Sequence, residues 1–373
     1  MEIGIDASRA FQSGATGIGV YATEIISRLV LTPPAPLRLY LNRSRPPEAA
    51  PHLAQGSEWR CIPFPRGWTA LRLRWELGRN RPGLLWVPAY RLPGGALPRS
   101  VVTVHGVEHR QAPSAYPGAA GRSVESFVLD TLRRAARVIS PSETTKADLV
   151  HLYGADPSRV TVIPHGVSAA MRRLDPDAYL PVLRSLGVEP PYFLVAGAHH
   201  LRKNVPFLVR QFARAFSPGG AGGPLLVVTN ATGDRAREIL AEAAERGAGG
   251  RVLLLGHLED GQLAALYCGA LAACVPSLYE GFGLPALDAM ACGTAVMANG
   301  VGGVQEIAEG AALLLKPDDP DGWVDGLRRL GSEPALRDHL GQLGAARATR
   351  FSWDRSAAAH AELLGSELRL AAT

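Results

Sequence analysis

The feature that most restricts this chain is a series of short, continuously apolar runs separated by segments of helical spacing. Ile3–Asp6, Leu84–Val87, Val101–His105, Phe193–Ala196, Leu225–Thr229, Ala272–Val275 and Ala295–Ala298 are examples of the first, and Val205–Phe216 and Gln262–Cys268 of the second. Continuity, rather than alternation, marks strands buried on both faces, as in a parallel sheet covered by helices. Thirteen such runs can be read along the chain, too many for one ordinary sheet. A loop-like stretch, Ser168–Pro191, precedes the fresh run at Tyr192 and divides them. The pattern predicts an α/β chain of two doubly wound, Rossmann-like domains, 1–175 and 190–350, facing each other across a cleft at the carboxyl ends of their strands. Ser217–Gly223 reads as a flexible loop.

The 373 residues fit two to three domains at about 150 residues each. Their 47% apolar and 20% charged content excludes a disordered chain. A net charge of +5, spread along the sequence, is no nucleic-acid footprint. Basic positions are almost all arginine, with lysine only at 146, 203 and 316, so each lysine attracts interest. Cys61, Cys268, Cys274 and Cys292 form neither a disulfide framework nor a C-x-x-C pair, which fits reduced thiols and a cytoplasmic location. No basic, apolar leader opens the chain and no run is long enough to span a bilayer. No set of His, Cys and Asp has metal-ligand spacing, so no metal is expected.

The most informative segment is Ser277–Gly293, SLYEGFGLPALDAMACG. An apolar strand ends at Pro276, a glycine turn follows, and Pro285 opens a helix. Gly281 and Gly283 remove side chains, with Phe282 and Leu284 completing the turn. The expected result is free N–H groups from Gly283 to Leu287 at a helix start that an anion can approach. Glu280, just outside the turn, and Asp288, in the helix's expected first turn, are poor partners for phosphate but good acceptors for sugar hydroxyls. Phosphate donors flanked by hydroxyl acceptors describe a nucleotide-sugar site. The bland alternative is a tight strand–helix turn with Asp288 as a dipole acid.

A second buried strand, Phe193–Ala196, runs into His199, His200, Arg202, Lys203 and Asn204, the last a candidate N-cap. Arg offers a bidentate fork and Lys a point charge, so the pair suits a diphosphate; alone, it reads equally as a solvated basic loop. Gly17 to Ala22 matches G-x-G-x-x-A, but a dinucleotide reading lacks the acid after the next strand, where Leu41 and Asn42 stand. Gly17 and Gly19 fit better as a loop that meets a ligand phosphate or sugar. His105, closing the run Val101–His105, is placed to exchange a hydrogen bond with a sugar hydroxyl. Residues 66–81 place Trp68, Leu71 and Trp75 on one helical face with Arg72, Arg74 and Arg79 elsewhere. That suits peripheral contact with an anionic membrane, or an apolar stripe docked on its own domain.

These segments together resemble the retaining glycosyltransferases of family 4, with the two-lobed GT-B fold, over nearly the whole chain. Gly17 to Tyr21 resembles the family's N-terminal glycine loop, and Val104–His105 its cleft histidine. Ile139 to Leu149 and Val162 to Val167 are similar to segments that end its first lobe. Arg202, Lys203 and Asn204 resemble its diphosphate pair, and Glu280 to Asp288 its E-x7-E motif. Phe351 to Trp353 resembles the start of a last helix, 352–373, that packs back on the first lobe. Three positions depart from the pattern: Asp288 replaces a second Glu, Gly106 stands where relatives often carry Asp, and Val20 where many have Arg.

The resemblance implies transfer of a hexose from a nucleoside-diphosphate donor, with a lean to GDP-mannose, to a saccharide, lipid-linked or small-molecule acceptor. It implies retained configuration and no metal or other cofactor. The donor would lie on the C-terminal domain and the acceptor on the N-terminal one. Arg202 and Lys203 would meet the leaving diphosphate, Glu280 the sugar hydroxyls and Asp288 the ribose. The alternatives are a GT-B epimerase, a sucrose/trehalose-type transferase, or a non-catalytic sugar-nucleotide-binding protein.

Overall fold

The computed structural model describes residues 1–12, 14, 17–44, 57–64, 67–216 and 223–372. Most of the loop expected at 217–223, and Arg66 of the basic segment, lie outside them. The chain forms two compact units. One comprises Met1–Val107, Gly118–Gly166 and Ser352–Thr373, and the other Glu108–Pro117 and Val167–Phe351. The first stretch of chain therefore leaves its unit at Gly166 rather than at 175, and 108–117 belongs with the second unit.

The first unit holds β1 (Ile3–Asp6), β2 (Leu37–Leu41), β3 (Ser57–Cys61), β4 (Leu84–Val87), β5 (Arg99–Thr103), β6 (Arg137–Ser140) and β7 (Val160–Val162). All are parallel, in the order β3-β2-β1-β4-β5-β6-β7. Ile3 pairs with Leu37 on one side and Leu84 on the other, so the chain reverses direction across the sheet at β1 and β4.

The second unit repeats the scheme with β8 (Tyr192–Val195), β9 (Leu225–Thr229), β10 (Val252–Leu255), β11 (Ala272–Val275), β12 (Val296–Asn299) and β13 (Leu313–Leu315), in the order β10-β9-β8-β11-β12-β13. The reversal falls between β8 and β11, where Phe193 pairs with both Leu226 and Ala272. Phe193, Leu226 and Ala272 enter the core on one face, while Leu194, Val227 and Ala273 enter it on the other. Both faces are covered, which is why these strands read as unbroken apolar runs. In such sheets, ligands bind outside the carboxyl ends of the strands at the reversal point.

The helix Trp353–Leu370 packs within the first unit against the helix Gly17–Leu31. Ser352 caps it, accepting from Asp354 N at 3.2 Å. Arg28 pairs with Asp354 at 2.5 Å, and the buried Glu367 is held by Arg99 and Arg137, each at 2.7 Å. Gly166 is required for this packing: a Cβ there would meet Trp353 N at 2.0 Å. His165 then stacks on Trp353, with ring centroids 5.5 Å apart.

Candidate functional site

Two loops of the second unit, after β8 and after β11, build the site at the reversal point. After β8 the chain turns at Gly197 and forms a single 3-10 turn, Leu201–Lys203. His200 caps that turn, its Nδ1 accepting from Arg202 N at 3.2 Å. Asn204 occupies the N-cap position of the helix Val205–Ala215 in a left-handed conformation, but its side chain makes no capping bond.

The two cations are turned inward onto Glu280. Lys203 Nζ donates to Glu280 Oε1 at 2.6 Å, and Arg202 lies 2.6 Å from Oε2. Ser277 Oγ donates to Oε1 at 2.7 Å. Arg202 also donates to the Tyr279 carbonyl at 3.2 Å, and its own carbonyl accepts from Leu278 N at 2.8 Å. Lys203 is 6% exposed and Glu280 5%. Burial alone would raise the Glu280 carboxyl, but Arg202, Lys203 and Ser277 outweigh it and hold the group well below the usual carboxylate range. Burial pulls Lys203 below its ordinary value, with Arg202 adding to that and Glu280 opposing it. Arg202 is held above its ordinary value: burial disfavours its charge, and Glu280 and Glu108 overcome that. The triad of Arg202, Lys203 and Glu280 thus carries one net positive charge. Ser277, Glu108 and the ion pairing of Glu280 were not legible from residue spacing.

The turn after Glu280 is shaped by glycines on two loops. Gly283 has φ 108°, and a Cβ on it would meet Val304 Cγ2 at 2.7 Å. Gly302 and Gly303, between β12 and the next helix, lie against the same turn. Their Cβ atoms would meet the carbonyl oxygens of Glu280 and Gly281 at 2.1 and 2.5 Å, and Gly303 N donates to Glu280 O at 2.8 Å. The Gly-Gly pair after a buried strand was the available sequence signal for this support.

The helix Leu284–Ala291 starts at Gly283, but the N–H groups from Gly283 to Leu287 are not all free. Ala286 and Leu287 already donate to Gly283 O at 3.0 and 3.1 Å, and Pro285 has no N–H. The donors left at the helix start are Gly283 and Leu284. Asp288 lies one turn further along than expected: with Gly283 as N-cap, no acid occupies the first turn. Its carboxyl is pushed up to about 8 by burial and then by Asp260. A cavity of about 290 Å³ beside this site is lined by His200, Leu201, Asn204, Arg210, Arg235 and Leu278, among others. It does not include Lys203, Glu280 or Gly283, so it is separate from the cation cluster.

The remaining candidates belong to the first unit. His105 follows β5, and its Nε2 lies 2.9 Å from the Pro88 carbonyl. A carbonyl can only accept, so Nε2 carries the proton and Nδ1 is the free acceptor. Burial lowers its pKa to about 4, so the ring is neutral. Gly17 and Gly19 lie inside the helix Gly17–Leu31 rather than in a loop before it. Ser13, Ala15 and Thr16 of that segment are outside the described residues.

Residues 68–73 form a π-helix and Arg74–Arg79 an α-helix, so Trp68 does not share a face with Leu71 and Trp75. The wider π turn displaces side chains from the 3.6-residue spacing. Trp68 turns inward, 6% exposed, and donates to Asp6 at 3.1 Å, while Leu71 and Trp75 are 64% and 52% exposed. Arg72 and Arg79 stack over the Trp75 ring at 4.4 and 4.7 Å. Among the described residues, no helix is long and apolar enough to cross a membrane, and no cluster of three or more His, Cys, Asp or Glu suits a metal.

Residues 17–170 match the family described as Glycosyltransferase Family 4, and residues 190–333 match Glycosyl transferases group 1. The chain is 26% identical to the O-antigen chain mannosyltransferase B of Escherichia coli, across 94% of this chain and 96% of that one. It is 35% identical to a D-inositol 3-phosphate glycosyltransferase of Actinosynnema mirum, over 60% of this chain and 55% of that relative. The solved sucrose-phosphate synthase of Thermosynechococcus elongatus superposes with a TM-score of 0.77 at 22% identity, covering 100% of both chains.

Proposed function

Because this chain belongs to the family 4, group 1 glycosyltransferases of GT-B fold, which act on sugar-nucleotide donors, we propose that it transfers a hexose with retention of anomeric configuration. The donor in this reading is a nucleoside-diphosphate sugar, with GDP-mannose the first to test, since the E. coli relative matched along its length is named a mannosyltransferase. The acceptor is a hydroxyl of a saccharide, a lipid-linked saccharide or a small molecule.

One observation carries the reading: half-buried Arg202 and buried Lys203 are held by a single carboxylate, Glu280, beside the glycine turn that opens the helix at Leu284. As the glycosidic bond breaks, negative charge grows on the leaving diphosphate. Two fixed cations and the N–H groups of Gly283 and Leu284 stabilise that charge more than they stabilise the ground state. They need no metal to do so. Glu280 has a double role. A carboxylate offers roughly four acceptor positions, and Lys203, Ser277 and Arg202 use three. The remaining one, on Oε2, accepts a sugar hydroxyl and supports positive charge at the anomeric carbon. Asp288 takes the ribose hydroxyls. Neutral His105 accepts a sugar hydroxyl through Nδ1, and Gly17 and Gly19 let the ligand approach the start of their helix. Attack comes from the same face as the leaving phosphate, which acts as the base.

The outward Leu71 and Trp75, set among Arg72, Arg74 and Arg79, suit peripheral contact with an anionic bilayer and so a membrane-borne acceptor, on the cytoplasmic face.

A thermal-shift panel of UDP, GDP, ADP and TDP identifies the base, because a ligand bound only by the folded state raises the melting point. Turnover of the matching sugar donor, with the product anomer read by NMR and with chelator present, then tests transfer, retention and metal independence. Donor binding without turnover on any acceptor would mean a non-catalytic sugar-nucleotide-binding protein.

A further inference from the structure

The second unit carries a thiol pair that this chemistry does not use. Cys268 lies near the end of the helix Asp260–Gly269, and Cys292 caps the end of the helix Leu284–Ala291. Cys268 is half-buried and Cys292 buried. Leu174 N donates to Cys268 Sγ at 3.3 Å, and that sulfur lies 3.5 Å from the Arg172 carbonyl and 3.9 Å from the Cys292 carbonyl. Contact with the Cys292 carbonyl places the two cysteines side by side at the ends of their helices. Arg173 lies at the same place, with Nη1 3.0 Å from where a Cβ on Gly293 would sit.

The Leu174 N–H and the Arg173 charge favour a thiolate on Cys268, whereas the two carbonyls can only accept from its S–H. The Cys292 thiol, the Leu174 N–H and the Arg173 charge overcome burial and bring the Cys268 thiol down to about 7. Cys292 is pushed up, first by its bond to Cys268, so it is the proton-bearing partner. The buried Cys274, without such neighbours, is pushed up by burial alone. A low-lying, partly accessible thiol beside a second thiol is the arrangement of an oxidation-sensitive pair.

We propose that Cys268 is a peroxide-reactive thiol and that Cys292 resolves it, closing an intramolecular disulfide between the ends of the two helices. The Cys268 thiolate attacks one oxygen of hydrogen peroxide, the O–O bond breaks, and sulfenic acid and hydroxide form. The Cys292 sulfur then displaces the sulfenic oxygen, which leaves as water with the Cys292 proton. Overall, two thiols and one peroxide give one disulfide and two waters. The inference does not depend on which sugar or acceptor the enzyme uses.

The test is peptide mass mapping of the full chain without reduction, after brief treatment with stoichiometric hydrogen peroxide at pH 7. The expected product is a Cys268–Cys292 crosslink lighter by two hydrogens, reversed by dithiothreitol. Cys292→Ser is expected to leave a sulfenic acid on Cys268 that dimedone captures. Cys268→Ser is expected to leave Cys292 unmodified. The half-buried Cys61 serves as the reference thiol in the same sample. Oxidation of Cys268 no faster than Cys61, or passage to sulfinic acid with no crosslink, overturns the proposal. If either variant fails to fold, the wild-type map alone decides it.

Discussion

The Tyr21 hydroxyl lies 2.6 Å from His360 Nε2, joining residues 339 positions apart in the chain. His360 Nδ1 lies 2.7 Å from the Ser356 carbonyl, which can only accept, so Nδ1 carries the proton and Nε2 accepts from Tyr21. Tyr21 then accepts from Thr103 at 2.8 Å, and Thr103 from Trp86 at 3.3 Å. The result is one directed chain from β4 through β5 and the helix Gly17–Leu31 to the C-terminal helix. Tyr21→Phe leaves both Thr103 and His360 with a lost partner, and denaturant unfolding is expected to show a loss of about 1–3 kcal/mol. An unchanged midpoint would remove this chain from the account of what holds the helix.

The same cluster sets an acid limit. Burial lowers His105 and His360 from 6.5 to about 4, and His165 well below 6.5. Between those values the unfolded chain binds protons that the folded one refuses. Stability present above pH 6.5 is therefore lost as the pH falls toward 4, with a slope of about 1.4 kcal/mol per pH unit for each histidine. Unfolding measured from pH 7 to 4 checks the sign. The Glu280 contribution, by contrast, persists until the pH falls below the usual carboxylate range.

Removing the carboxylate from the cation cluster is expected to be worse than removing a cation. Glu280→Gln leaves buried Lys203 and half-buried Arg202 with only the charge of Glu108 to offset them, a cost of about 3–5 kcal/mol in stability. Lys203→Ala is expected to keep the fold and lower kcat about 100- to 1000-fold, as loss of one transition-state donor does. Thermal melts and steady-state kinetics of both variants separate the two effects. Equal melting points would contradict the organising role given to Glu280.

Donor binding is expected to depend on pH through Asp288. Its carboxyl, pushed up to about 8, is protonated at neutral pH and must ionise to accept two ribose hydroxyls. Nucleotide affinity should therefore rise with pH by at most about tenfold per unit until that value is passed. Asp288→Asn should flatten the profile. Calorimetric titration from pH 6.5 to 9 reads it directly, and a flat wild-type profile would place the ribose elsewhere.

Leu71 and Trp75 can be changed without touching the core. The double variant Leu71→Ser, Trp75→Ser is expected to lose co-sedimentation with phosphatidylglycerol vesicles at low salt while melting like the wild type. Equal binding by both proteins would assign the exposed pair to something other than a bilayer.

Much of the site was legible because its chemistry is local. The glycines and proline of the 281–285 turn, and the Arg-Lys pair after a buried strand, announce themselves within a few residues. Their partners were not legible. Glu280 meets Lys203 across 77 positions, and the Gly302–Gly303 support comes from a different loop. The outward turn of Leu71 and Trp75 was hidden for another reason: a 3.6-residue period assigned them one face with Trp68, and a π turn broke that period.

The chain's own order of residues settled most of the described strands, because a parallel strand covered on both faces is apolar over a few consecutive positions; β3, Ser57–Cys61, is a partly exposed exception. That order also settled the two reversal-point loops, whose glycines and proline act on the backbone where they stand. Tertiary structure decided the charges. Whether Glu280 faces hydroxyls or cations, whether Asp288 is ionised, and which sulfur is the thiolate depend on dielectric and on neighbours brought from distant strands and loops. Those are properties of a place in space, and no stretch of sequence contains them.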